Sequence, residues 1–264
     1  MPIRFDHKPG LVVYLTAGDP SLDATRAIAL AAIEAGADVI ELGVPFSDPL
    51  ADGPIIQRAS ERALAHGTRL KDVLGVAREI RAACPAAGLV IFSYLNPILR
   101  YSLAKFADDA KAAGVDGVLA TDMIVEEAAE YLKELDRVGL APIFLAAPTS
   151  PDARLEAIAT HSKGFVYAIS RTGITGTQAA VATDATALVA RIRRWTPLPV
   201  AVGFGISNAE HVAQVTEFAD AAVIGSAIVE LIERTCSTEG PELAPDAVAR
   251  FIKGLRLPHA ALAR

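Results

Sequence analysis

Eight short runs of apolar residues, each followed by an Ala-rich amphipathic stretch, constrain this chain more than any other feature. They cover residues 11–16, 38–43, 89–94, 117–120, 142–146, 164–169, 199–202 and 221–224. A strand with one wet face alternates apolar and polar side chains. Most of these runs are apolar at consecutive positions, so they read as strands buried on both faces, as in a parallel sheet. Most midpoints lie 22–28 residues apart, room for one strand and one helix, and right-handed crossovers follow. The expected fold class is α/β. Eight units predict a closed (β/α)8 barrel, with an open doubly wound sheet as the alternative. No linker, low-complexity stretch or charge block divides the 264 residues, so a single barrel domain over 1–264 is expected.

Two intervals break the rhythm: 51 residues after the second strand and 34 after the sixth. The first leaves room for a long loop and an added helix near residues 55–65. The second holds a Gly- and Thr-rich loop at 171–177. In a barrel both insertions lie at the C-terminal face, where active sites are built. Helix starts are also readable. Ser150-Pro151 offers a cap followed by Pro at the first helical position, and Ser207-Asn208-Ala209-Glu210 reads as a capping box after the seventh strand.

Composition removes several function classes. At 52% hydrophobic residues there is material for a large core, yet no run approaches 18 uninterrupted apolar residues, so no membrane span is expected. The opening residues lack an apolar h-region, which predicts a cytoplasmic protein. A net charge of −6 argues against a nucleic-acid surface but leaves a small anionic ligand open, because backbone dipoles bind one locally. Cys84 and Cys236 read as two buried reduced thiols rather than a disulfide.

The candidate chemistry begins with Glu41. Alternation puts Val39, Glu41 and Gly43 on one face of the second strand and Ile40 and Leu42 on the helix-facing side. Glu41 then points into the barrel near its upper end, where a lone carboxylate is costly to bury and needs a task or a partner. The following loop carries Asp48 before Pro49 and Asp52 before Gly53. Both suit ordinary turns, and spacing alone does not say which one is chemical.

Gly203-Phe204-Gly205 after strand seven and Gly225-Ser226 after strand eight each lead into a helix. Glycine lets backbone N–H groups approach an anion, and the helix N-terminus adds a favourable dipole. Residues 171–176, including Arg171, could cover the same site. No lysine ends an expected strand, which disfavours a Schiff-base aldolase. No histidine does either, which argues against a His-ligated metal. Tyr14, Phe92, Tyr94, Leu119 and Tyr167 remain on the expected strands as pocket candidates.

The run Glu-Leu-Gly-Val-Pro-Phe-Ser-Asp-Pro-Leu-Ala-Asp-Gly-Pro at 41–54 resembles the signature of the tryptophan synthase α-subunit family. Residues 15–20, 170–176, 203–207 and 225–229 match it further. The resemblance implies a TIM-barrel lyase that cleaves indole-3-glycerol phosphate to indole and glyceraldehyde 3-phosphate. It implies no cofactor or metal in this chain and a pyridoxal-phosphate β subunit as partner, in an αββα heterotetramer with an indole tunnel.

By motif, the resemblance makes Glu41 and Asp52 the catalytic pair and 171–176 a mobile loop whose Thr175 meets the catalytic Asp. The phosphate ligands resemble the backbone around Gly176, Gly205 and Gly225, with Ser226. Phe204 joins the pocket. One departure is visible: the family's Asp-x-Pro after the fourth strand reads Asp122-Met123-Ile124. Ile55-Ile56-Gln57 is also more apolar than is common.

Overall fold

All eight apolar runs are strands in the computed structural model, which describes residues 3–169, 178–203 and 205–256. The strands are β1 Gly10–Thr16, β2 Val39–Gly43, β3 Gly88–Ser93, β4 Gly117–Ala120, β5 Ala141–Ile143, β6 Leu145–Ala146, β7 Val166–Ile169, β8 Val200–Gly203 and β9 Ala221–Ile224. Each pairing is parallel, in the order β5-β4-β3-β2-β1-β9-β8-β7-β6. The two ends of that order are consecutive in the chain, separated by Phe144 alone. The fifth expected strand is therefore one bent segment, pairing with β4 before the bend and with β7 after it. The Phe144 carbonyl still accepts from Tyr167 N–H at 3.2 Å, so the bend turns the chain without leaving the ladder. A barrel nearly closed in this way is the TIM architecture.

The apolar runs are continuous because each strand faces two cores. On β1, Leu11, Val13 and Leu15 pack toward the helices, while Val12 faces the barrel interior with Val39, Val90, Leu119, Ile143 and Phe165. Fully burying one such side chain contributes about 1.5–3 kcal/mol. This inner layer fills the lower barrel. The next inward positions are Tyr14 on β1 and its register partner Glu41 on β2, so the apolar filling stops where the acid begins.

Eleven α-helices lie among the described residues. α1 Leu22–Glu34 shows how the sequence builds one. The Ser21 hydroxyl accepts from Ala24 N–H at 3.1 Å, and Thr25, Ile28, Ala29 and Ala32 form the buried stripe. The long second interval holds two helices, α2 Pro54–Ala65 and α3 Leu70–Ala83; then come α4 Leu95–Tyr101, α5 Leu103–Ala112, α6 Ala129–Val138, α7 Asp152–His161, α8 Gln178–Ile192, α9 Ala209–Thr216, α10 Ser226–Thr238 and α11 Ala244–Leu255.

Two helix starts differ from expectation. Pro151 keeps an extended backbone (ψ 158°) and is itself the N-cap of α7, while the Ser150 hydroxyl accepts from Ala147 N–H in the preceding turn. α9 is capped by Asn208 rather than Ser207, its side-chain oxygen accepting from His211 N–H at 2.8 Å. Both cysteines are free, and they are half-buried rather than buried.

The N-terminal rim repeats one device three times. Asp38, Asp116 and Asp220 immediately precede β2, β4 and β9. Each carboxylate accepts from a backbone N–H at the start of the adjoining strand: Leu11 at 2.8 Å, Leu89 at 3.0 Å and Val200 at 2.8 Å. An arginine completes each: Arg256 at 3.1 Å, Arg81 at 2.5 Å and Arg193 at 3.1 Å. Charge-assisted bonds of this kind are about twice as strong as neutral ones, and here they fasten neighbouring strands at the rim.

Candidate active site

The C-terminal end of the barrel opens into a cavity of about 330 Å³. Its floor follows from small residues at strand ends. A side chain at Gly43 would collide with the Tyr14 hydroxyl, and one at Gly203 with the Tyr167 hydroxyl. Each tyrosine thus lies over the terminal glycine of the next strand. Phe92 meets the Tyr14 ring edge-on, centroids 5.1 Å apart at 77°, a favoured aromatic arrangement.

Glu41 stands in this apolar floor. It is 0% exposed, and neither carboxylate oxygen has a hydrogen-bond partner among the described residues. Burial disfavours its charged form and pushes its pKa up to about 8.

Asp52 reaches the cavity from the loop that ends in the Gly53 N-cap of α2. The loop is held from below and beside. Tyr94 accepts from Ala51 N–H at 2.9 Å and hydrogen-bonds the Asp52 side chain, and Gln57 Nε2 donates to the Asp52 carbonyl at 2.8 Å. Burial raises the Asp52 pKa to about 6, with the Tyr94 hydrogen bond working against the rise. Asp48 is exposed and lies outside the cavity lining. Geometry thus separates two acids that spacing left equivalent.

Gly205, Ile206, Ser207, Gly225, Ser226 and Ala227 form the opposite wall. Gly205 has φ +73° with open space where a Cβ would lie, so both its backbone shape and its access to a ligand depend on glycine. α10 opens at this wall. Its first N–H groups have no intrahelical acceptor and point where an anion is stabilised.

Glu41, Asp52, Tyr14, Phe92, Tyr167, Gly205, Gly225 and Ser226 therefore meet around one cavity. Leu119 does not: it belongs to the filled layer beneath, with Val90 and Ile143. Tyr94 stands behind the Asp52 loop rather than on the lining. Arg171, Thr175, Gly176 and Phe204 lie outside the described residues.

Sequence reasoning missed Ile55, Ile56, Thr121, Leu145, Ile169 and Glu230, all on the lining. Alternation carried the signal for Ile169, two residues beyond Tyr167 on the same strand face. Asp122 accepts from Leu95 N–H at 2.7 Å and fixes the start of α4, whereas Met123 and Ile124 line a neighbouring cavity of about 250 Å³ that shares Thr121, Leu145 and Ile169 with the first. Among the described residues no group of three His, Cys, Asp or Glu side chains could hold a metal ion, and no helix is long and apolar enough to cross a membrane.

Comparison with known proteins adds to this geometry. The family described as "Tryptophan synthase alpha chain" matches residues 3–253. The tryptophan synthase alpha chain of Solibacter usitatus is 48% identical over 251 residues, covering 95% of this chain and 94% of that one. The crystal structure of tryptophan synthase subunit alpha from Legionella pneumophila superposes with a TM-score of 0.85 at 36% identity, covering 94% of this chain and 91% of that one. A chain of the tryptophan synthase complex from Pyrococcus furiosus gives 0.82 at 37% identity, covering 94% and 97%.

Proposed function

The chain belongs to the tryptophan synthase alpha chain family, and on that premise we propose that Glu41 and Asp52 perform its chemistry within a single barrel domain spanning residues 1–264. The activity is that of a lyase: cleavage of indole-3-glycerol phosphate to indole and glyceraldehyde 3-phosphate in tryptophan biosynthesis. The chain works as the α subunit beside a β subunit, in the αββα assembly of tryptophan synthase. We place the pyridoxal phosphate in the β subunit, draw on no cofactor from this chain, and assign the protein to the cytoplasm.

Indole is a poor leaving carbanion until its C3 is protonated. In the proposed scheme Glu41 enters as the acid and delivers a proton to C3, giving an indolenine cation. The bond between C3 and the glycerol carbon then breaks, and its electron pair returns to the ring. The Glu41 carboxylate takes the proton of the hydroxyl on that carbon, which becomes the aldehyde. Asp52, ionised, accepts the indole N–H hydrogen bond and stabilises the positive charge on the ring.

The supporting observation is the contrast within one cavity. A buried acid with no hydrogen-bond partner among the described residues retains its proton near neutrality, while the half-buried acid of the same cavity ionises below it. Burying an indole of about 150–200 Å² contributes roughly 4–5 kcal/mol before ordering costs. The N-terminus of α10 and the backbone at Gly205 receive the phosphate, with Ser226 and, by sequence position, Gly176.

The test separates the two ends. Asp52→Asn is expected to lose indole production and retain substrate binding. Gly225→Asp is expected to weaken glyceraldehyde 3-phosphate and leave indole binding nearly unchanged. Equal losses for both ligands in Gly225→Asp would sink the assignment of the phosphate end.

A further inference from the structure

The two ends of the proposed site sit on different elements. Asp52 lies next to Gly53, the N-cap of α2, whereas Gly225 and Ser226 open α10. A substrate that touches both needs their separation held, and among the described residues the salt bridges that join α2 to α10 go to Glu233, which is not on the cavity lining.

The tie lies outside the cavity. Arg58 and Arg62, one turn apart on α2, converge on Glu233, two turns into α10. Arg58 Nε and Nη2 donate to its two oxygens at 3.1 and 2.8 Å, and Arg62 Nη1 donates to Oε1 at 2.6 Å. The remaining fork of Arg62 is bidentate on Asp19, Nε and Nη2 each at 2.8 Å. Asp19 is only 5% exposed and belongs to the loop after β1, the strand that carries Tyr14. One guanidinium therefore joins the β1 loop, α2 and α10. Arg62, Asp19 and Glu233 line a separate cleft of about 210 Å³ and are absent from the lining of the first cavity, so they act on a substrate only through what they hold.

We propose that Arg62, with Asp19 and Glu233 as its acceptors, is a positioning residue that sets the distance between the carboxylate end and the phosphate end of the site. The proposal rests on the assignment of Asp52 and of Gly225–Ser226 to those two ends. A planar fork with two acids at fixed angles resists both sliding and rotation of α2 against α10, which a flexible ammonium does not. Misplacement by about 1 Å at a distance from the chemistry can cost about 100-fold in rate.

The experiment compares the intact substrate with its halves, using the full chain. Arg62→Met is expected to lower kcat/KM for indole-3-glycerol phosphate about 10- to 100-fold, by a lower kcat as well as a higher KM. The dissociation constants of indole alone and glyceraldehyde 3-phosphate alone are expected to stay at wild-type values, because each half-site remains intact. Arg62→Lys, which keeps the charge and loses the fork, is expected to fall between. Wild-type kcat/KM in folded Arg62→Met, or half-ligands that weaken in parallel with the substrate, would overturn the proposal.

Should Arg62→Met not fold, Glu233→Gln leaves the Arg62–Asp19 fork in place and isolates the α2–α10 tie. The same pattern is expected at smaller amplitude, and unchanged kcat/KM there also overturns it. Failure of the site assignment reads differently: Asp52→Asn then keeps turnover, and Gly225→Asp keeps its affinity for glyceraldehyde 3-phosphate, whatever Arg62 does.

Discussion

Asp38 and Glu41 lie three residues apart on the same strand run, both buried, and the barrel treats them in opposite ways. At the N-terminal rim Asp38 accepts from Leu11 N–H, from His7 Nδ1 at 2.6 Å and from Arg256. At the C-terminal rim Glu41 has no hydrogen-bond partner among the described residues. Taking a carboxylate out of water costs several kcal/mol in either place. One end offsets that cost with charge-assisted bonds and gains a staple between strands. The other leaves it standing and obtains an acid that holds its proton near pH 7. The difference teaches where this fold invests in stability and where, on the proposed function, it keeps an acid for chemistry.

The largest effect expected is on turnover. Glu41→Gln should lower indole formation by about 10²–10⁴-fold without lowering the melting temperature. Near-normal turnover would erase the contrast between the rims. Next comes stability. Asp38→Ala leaves the Leu11 N–H without its acceptor and takes one acceptor from Arg256, whose guanidinium keeps the Pro9 and Gly36 carbonyls. It should cost about 1–3 kcal/mol in denaturant unfolding, with turnover per folded molecule unchanged. A loss of activity beyond the loss of folded protein would break the division.

Smaller and sharper is the pH dependence of stability. The folded Glu41 binds its proton more tightly than the unfolded chain, with a pKa near 8 against an ordinary 4.5. Its contribution is therefore fully present below about pH 4.5 and is lost as pH rises toward 8, with a slope approaching 1.4 kcal/mol per unit, about one proton's worth. Asp52 adds a lower window ending near 6. Glu41→Gln should flatten the upper part of the curve and be the more stable protein at pH 8, measured by denaturant titration across pH.

The smallest effect concerns the limbs of the rate profile. With Glu41 needed protonated and Asp52 ionised, kcat/KM should be bell-shaped with limbs near about 6 and about 8. Tyr94→Phe removes the hydrogen bond that lowers the Asp52 pKa, so the acid limb should move upward, by up to about one unit. A downward shift would mean that Tyr94 acts on Asp52 in some other way.

Much of the fold was legible because two-sided burial leaves an unmistakable pattern: consecutive apolar residues over a strand's length, interrupted at helical spacing. The inward direction of Glu41 was legible for the same reason, by alternation with Ile40 and Leu42. Height within the barrel was not. Leu119 and Phe92 are register partners on neighbouring strands, yet Phe92 reaches the cavity while Leu119 is sealed beneath it, because strand tilt and stagger decide the level of each side chain. Asp48 and Asp52 are both competent turn residues, so only the path of the loop over Tyr94 separates them. The caps at Asn208 and Pro151 each lie one residue beyond the expected serine, a shift of the kind local propensity does not resolve.

Sequence alone determined the order of elements, the parallel sheet, the glycines after β8 and β9 and the family to which the chain belongs, since each is written in neighbours a few residues apart. The tertiary structure alone decided which buried acids are paired and which stand without a hydrogen-bond partner among the described residues. The partners that decide it come from far away in the chain: Arg256 stands 218 residues from Asp38, and Arg62 stands 171 from Glu233. Desolvation and charge pairing act through space, and only closure of the barrel determines what stands beside what.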